Sequence, residues 1–144
     1  MDLNLLGAWT AVWIYVCCIL TFSARLLHKP DLGHWFGYPL LLSAAPLFYL
    51  LFTAPRFGRP TLYYVQIGLM LVFLLVELLL DYIFKLTFRR VRWMVICYVI
   101  LFFAGVGGML GVAALAGHTW SITAIVLFFA TAALAFIQRQ ATGM

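Results

Sequence analysis

Apolar residues run along this chain in five long stretches separated by short polar or basic breaks. They are Leu5 to Ala24, Tyr38 to Ala54, Thr61 to Phe84, Trp93 to Ala116 and Thr119 to Ile137. Most reach the ~20 residues that an α-helix needs to cross a hydrocarbon core about 30 Å thick. Backbone amides find no water in that layer, so a spanning segment closes its hydrogen bonds internally. The pattern predicts an all-α integral membrane protein. It should be a compact bundle of about five transmembrane helices, one domain over residues 1–144. The second stretch is the shortest, at about 17 residues, and carries Pro46 near its middle. Proline removes a helix hydrogen bond and clashes with the preceding turn, so this stretch reads as a kinked span or a re-entrant segment.

The basic residues decide between those two. With five crossings, Arg25, Lys29, Lys85, Arg89, Arg90, Arg92 and Arg139 share one side, and Arg56 and Arg59 take the other. Without the second crossing the split is nearly even. Cytoplasmic loops carry an excess of Lys and Arg, which favours five crossings with the N-terminus outside and the C-terminus inside. The expected location is the plasma (cytoplasmic) membrane. The chain opens Met1-Asp2-Leu3-Asn4 and Arg25 follows the first apolar run, which suits an uncleaved span better than a secretory signal peptide. Trp9 and Trp120 then fall near the outer interface, and Trp35 and Trp93 near the inner one, as an aromatic belt. The Gly117-His118 link is short enough to make the last two spans antiparallel neighbours. Pro55 to Pro60 forms a turn, with Pro60 placed to open the third helix.

Composition narrows the picture further. Of 144 residues, 67% are hydrophobic and 9% charged, against about 25% charged in a soluble domain. A net charge of +5 is accounted for by the flanks of the spans, and the chain has no room for an exposed nucleic-acid groove. Cys17, Cys18 and Cys97 all lie in apolar runs, without a C-x-x-C, so thiol redox chemistry is not expected. No phosphate-binding loop, nucleophile elbow or H-E-x-x-H is present. The chain therefore reads as a non-enzyme without a cofactor. An isomerase or lipid-modifying enzyme built on its acids would lack a motif.

Those acids are the strongest chemical signal. Glu77 and Asp81 stand four apart on the third helix and share a face. Lys85 continues the row, and Gln66 and Tyr63 fall within roughly 40° of Glu77 at 100° per residue. Glu77 lies about 12 Å of helix rise from Lys85, well below the headgroups. An ionised acid near the bilayer centre costs about 2.5–3.5 kcal/mol on insertion scales, so such residues face a protein interior or a wet cavity. Glu77, Asp81, Gln66 and Tyr63 are the candidate proton- or cation-binding groups. The bland alternative has Glu77 hydrogen-bonded to a neighbouring helix and Asp81 paired with Lys85 or Arg92.

Ala104, Gly107, Gly108 and Gly111 form a small-residue stripe on the fourth span, including a G-x-x-x-G pair that admits another helix closely. The stripe can pack within one chain or form a homodimer face. Ser43, Ala44, Ala45 and Pro46 mark a kink whose freed carbonyl can line a cavity or be satisfied by a nearby hydroxyl. His28, Asp31 and His34 are all zinc-ligand types, but Pro30 and Gly33 suggest an irregular loop without a fixed ligand face, so this is a weak metal candidate.

Two functions follow as expectations. One is a small proton-coupled transporter or permeation protein for a cationic or polar solute, working through Glu77. The other is an accessory, scaffold or lipid-binding protein acting through the glycine face. Its partners would be membrane lipids and a second copy or a larger membrane protein, not nucleic acid.

Overall fold

The computed structural model of the protein describes residues 3–27, 30–58, 60–83 and 92–142. Among the described residues, six α-helices follow in order: α1 (Leu3–Leu26), α2 (Pro30–Leu42), α3 (Ala44–Thr53), α4 (Thr61–Glu77), α5 (Arg92–Ala114) and α6 (His118–Thr142). A 3-10 turn at Ala54–Phe57 follows α3, and a π-helical turn at Leu78–Ile83 continues α4. Among the described residues, five helical stretches are long and apolar enough to cross a membrane: Asn4–Leu26, Trp35–Arg56, Thr61–Leu80, Arg92–Ala114 and His118–Ala141. The chain is an all-α bundle and an integral membrane protein. The second stretch, read as beginning at Tyr38, is already helical from Pro30, a residue suited to a first helical turn.

The bundle is organised around α1. Ala8, Ala11, Ile14, Tyr15 and Cys18 are buried at helical spacing, the i, i+3, i+4 pattern of a core-facing stripe. Contacts reach from α1 to α2, α3, α5 and α6. Half of its most apolar stretch is buried in protein, against 11% for α6, so α1 is central and α6 peripheral. Close approach depends on small residues: a methyl added at Gly7 would come within 2.8 Å of the Val112 side chain on α5. The Tyr15 hydroxyl donates to the Val106 carbonyl across the same α1–α5 contact. Trp9 and Trp120 meet edge to face, with centroids 5.2 Å apart, at the end where α1 and α6 begin. Arg25, Arg92 and Arg139 occupy the opposite end.

The second span breaks at Ser43, three residues before Pro46. Proline lacks the amide that would bond the carbonyl one turn back, and the backbone tightens ahead of it. The Ser43 amide donates to Leu40 O at 3.1 Å, a 3-10-type bond in place of the α-helical bond to Pro39 O. The Ser43 hydroxyl reinforces it, donating to Leu40 O at 2.6 Å. Pro39 O, released by this shift, accepts from the Trp13 indole at 2.8 Å. The carbonyl freed here is Pro39 O, and an indole from α1 satisfies it; the Ser43 hydroxyl adds to a carbonyl that keeps its backbone donor. Thr10, Thr21, Thr123 and Thr131 each donate to the carbonyl four residues back, the usual way a hydroxyl is satisfied inside an apolar helix.

Among the described residues, Gly58 and Gly117 adopt backbone conformations that other residues rarely take. Gly58, at φ 60°, closes the 3-10 turn before α4. Gly117, at φ 136°, reverses the chain between α5 and α6.

Candidate functional site

Glu77 lies on the core-facing stripe of α4. Tyr63, Ile67, Met70, Phe73, Leu74 and Glu77 are the buried residues of that helix, spaced three and four apart, so the acid takes a position where a hydrophobe belongs by pattern. The facing stripe on α5 is Phe102, Gly105, Val106 and Met109. The two stripes meet in antiparallel register. Met70 lies against Gly105, where an added methyl would come within 3.3 Å of its sulfur. Phe73 packs on Phe102 with centroids 5.3 Å apart and on Tyr98 at 5.5 Å. One turn further on, the Tyr98 hydroxyl donates to Glu77 Oε2. Glu77 is 6% exposed, and the buried thiol of Cys18 on α1 lies within electrostatic range of it and of Arg25.

Gln66 stands elsewhere along the same interface. A methyl at Gly108 would come within 3.2 Å of Gln66 Cα, and one at Gly111 within 3.0 Å of Gln66 Cδ and closer still to its amide nitrogen. These two glycines thus seat Gln66 of the same chain. Gly107 turns instead toward Phe128 on α6, 4.0 Å from an added methyl, and Ala104 is half-buried. Tyr63 is buried near the start of α4. Gln66 and Glu77 thus both meet α5, and Tyr63 is buried on the same side of α4.

Asp81 lies on the π-helical turn; its side chain, and Lys85, fall outside the described residues. So do His28 and the side chains of Asp31 and His34, and the weak metal candidate is not described. Among the described residues no cluster of three metal-ligand types occurs. Cys17 and Cys18 are buried free thiols, and Cys97 is an exposed one.

The other side of Tyr98 borders a cleft of about 130 Å³ between α1, α5 and α6. Phe22 and Arg25 come from α1, Tyr98 and Phe102 from α5, and Gln138 and Arg139 from α6. Gln138 is 2% exposed. The polar groups gather at the end of the bundle where α1 and α6 finish, and aromatic rings line the deeper part: Phe22 meets Phe102 edge to face at 5.7 Å. Tyr98 thus touches the buried acid and walls the cleft. Sequence reasoning missed Tyr98, Arg25, Gln138 and Arg139 as a group. The available signal was depth: Tyr98 stands about as far into its span as Glu77 stands from the end of its own.

Neither a protein-family model, nor a curated protein, nor a solved structure matches the chain significantly.

Proposed function

We propose that this membrane protein is a small proton-coupled transporter or permeation protein in which Glu77 carries the proton. The observation that supports this reading is the Tyr98–Glu77 hydrogen bond, which joins a buried carboxyl to the wall of a cleft. Intramembrane acids held inside protein are expensive and are commonly kept for proton or ion handling. The carboxylate accepts from the Tyr98 phenol; once protonated, it no longer needs that donor, and the ring is released toward the cleft. The helix changes from α to π immediately after Glu77, and π-turns are frequent at functional sites. Gln66 is assigned to packing of α4 on α5. A scaffold or homodimer role through Gly108 and Gly111 would require α4 to leave α5.

The test uses vesicles reconstituted with the full chain and loaded with a pH-sensitive dye. Small organic acids and small amines are added outside in turn. Wild type should show a solute-dependent proton movement, lost in Glu77→Gln with helical content unchanged. The same proton movement in both proteins would remove Glu77 from the mechanism.

A further inference from the structure

We infer that the cleft between α1, α5 and α6 binds an anionic phospholipid of the surrounding bilayer, with the phosphate on Arg25 and Arg139 and part of one acyl chain against the aromatic rings. This goes beyond the proton reading and does not depend on Glu77. A basic residue in the last turn of a helix is ordinary, because it complements the helix dipole. Arg25 and Arg139 are each in such a turn, and either alone would signify nothing. Both, however, line one cleft from different helices. Two planar guanidinium groups can grip phosphate oxygens through paired hydrogen bonds. Gln138 is buried in the same wall.

The rest of the cleft selects a lipid over a free anion. Its lining below the arginines is aromatic and aliphatic, and its rim includes Val99 and Phe136, which are 40% and 63% exposed. These side chains lie on the apolar outer surface of spanning helices, so the cleft opens sideways into the hydrocarbon. A volume of about 130 Å³ resembles the ~150 Å³ engineered cavity that accepts a benzene-sized guest. It therefore holds a stretch of one acyl chain and leaves the headgroup at the arginines. Polar at the interface, apolar toward the bilayer centre, the lining runs in the same order as a phospholipid.

Native mass spectrometry of the full chain in mild detergent tests this, titrating phosphatidylglycerol and phosphatidylcholine with identical acyl chains. Each arginine near an anionic headgroup is worth about fivefold, so phosphatidylglycerol should bind roughly 25-fold more tightly. The Arg25→Gln/Arg139→Gln variant should bind the two lipids equally, while Arg56→Gln, outside the cleft, should keep the preference. Ala135→Phe fills the cleft without touching a charge and should weaken both lipids. Equal binding of the two lipids by wild type would overturn the inference without any variant. So would a preference that survives loss of both arginines, or affinity indifferent to Ala135→Phe. Excess inorganic phosphate should leave lipid binding unchanged; displacement would mark a bare anion site and refute the acyl-chain contact. None of these outcomes involves proton movement, so the proposal can fail while the transport reading stands, and the reverse.

Discussion

Two of the hollows formed by the described residues are built on opposite plans. The groove where α2 and α3 meet α4 has a volume of about 310 Å³ and is lined by Leu41, Ala44, Phe48, Leu71, Leu74 and Leu78, among other apolar residues. The cleft between α1, α5 and α6 is less than half that size, yet two arginines, a glutamine and a tyrosine converge on it. In water, the larger apolar hollow would be the default binding site. In a bilayer that ranking reverses, because acyl chains fill apolar hollows at little cost. What marks a site is polar groups held where they are expensive.

The largest expected contrast comes from the walls. Phe73 stands behind the small cleft, buried against Tyr98 and Phe102. Phe73→Ala should cost about 3 kcal/mol in detergent unfolding. Leu75 lines the large groove and is half exposed, so Leu75→Ala should stay within about 0.5 kcal/mol. Equal losses would mean that the groove is as structural as the cleft wall. A second contrast uses the face of α5 turned toward α4. Gly108→Leu should overpack against the Gln66 backbone and cost about 2 kcal/mol. Gly68 has open space around it, and Gly68→Ala should be neutral or stabilising by up to ~1 kcal/mol.

Smaller effects sharpen the cleft itself. Tyr98→Phe removes the donor to a buried carboxyl and should cost about 1.5 kcal/mol, with a change in the carboxyl infrared band. Glu77→Gln keeps an acceptor for Tyr98 and should cost less; a larger loss than for Tyr98→Phe would make the acid chiefly structural. The smallest effect is expected at the break beside the groove. Ser43→Ala leaves Leu40 O with its backbone donor, so the change should be about 0.5 kcal/mol by thermal melting.

The span pattern was legible because the bilayer imposes length and apolarity directly. The second span was harder: Pro30 and Gly33 read as an irregular loop in sequence, whereas the helix already runs from Pro30, which suits a first helical turn. Glu77 stood out because a charge among leucines is conspicuous. Its partner did not, since a tyrosine is at home in any amphipathic position, and only the antiparallel register of α4 and α5 brings Tyr98 to it. The glycine stripe was legible as a place of close approach. Its occupant was not, because spacing says that backbones can touch without saying whose. Arg25 and Arg139 read as ordinary flanking charges, and their convergence depends on α1 and α6 being neighbours far apart in sequence.

The Trp13–Pro39 hydrogen bond has a consequence for biogenesis. A segment with a freed carbonyl is a poor lone guest for hydrocarbon, and here α1 supplies the donor that makes it acceptable. The second span should therefore leave the insertion machinery in the company of the first, as a helical hairpin. Trp13→Phe should lower the membrane-integrated fraction of the second span in a glycosylation-mapping assay while leaving the first span inserted. On this view one indole at the lipid boundary acts as a chaperone within the chain, admitting a broken helix to a solvent that would otherwise refuse it.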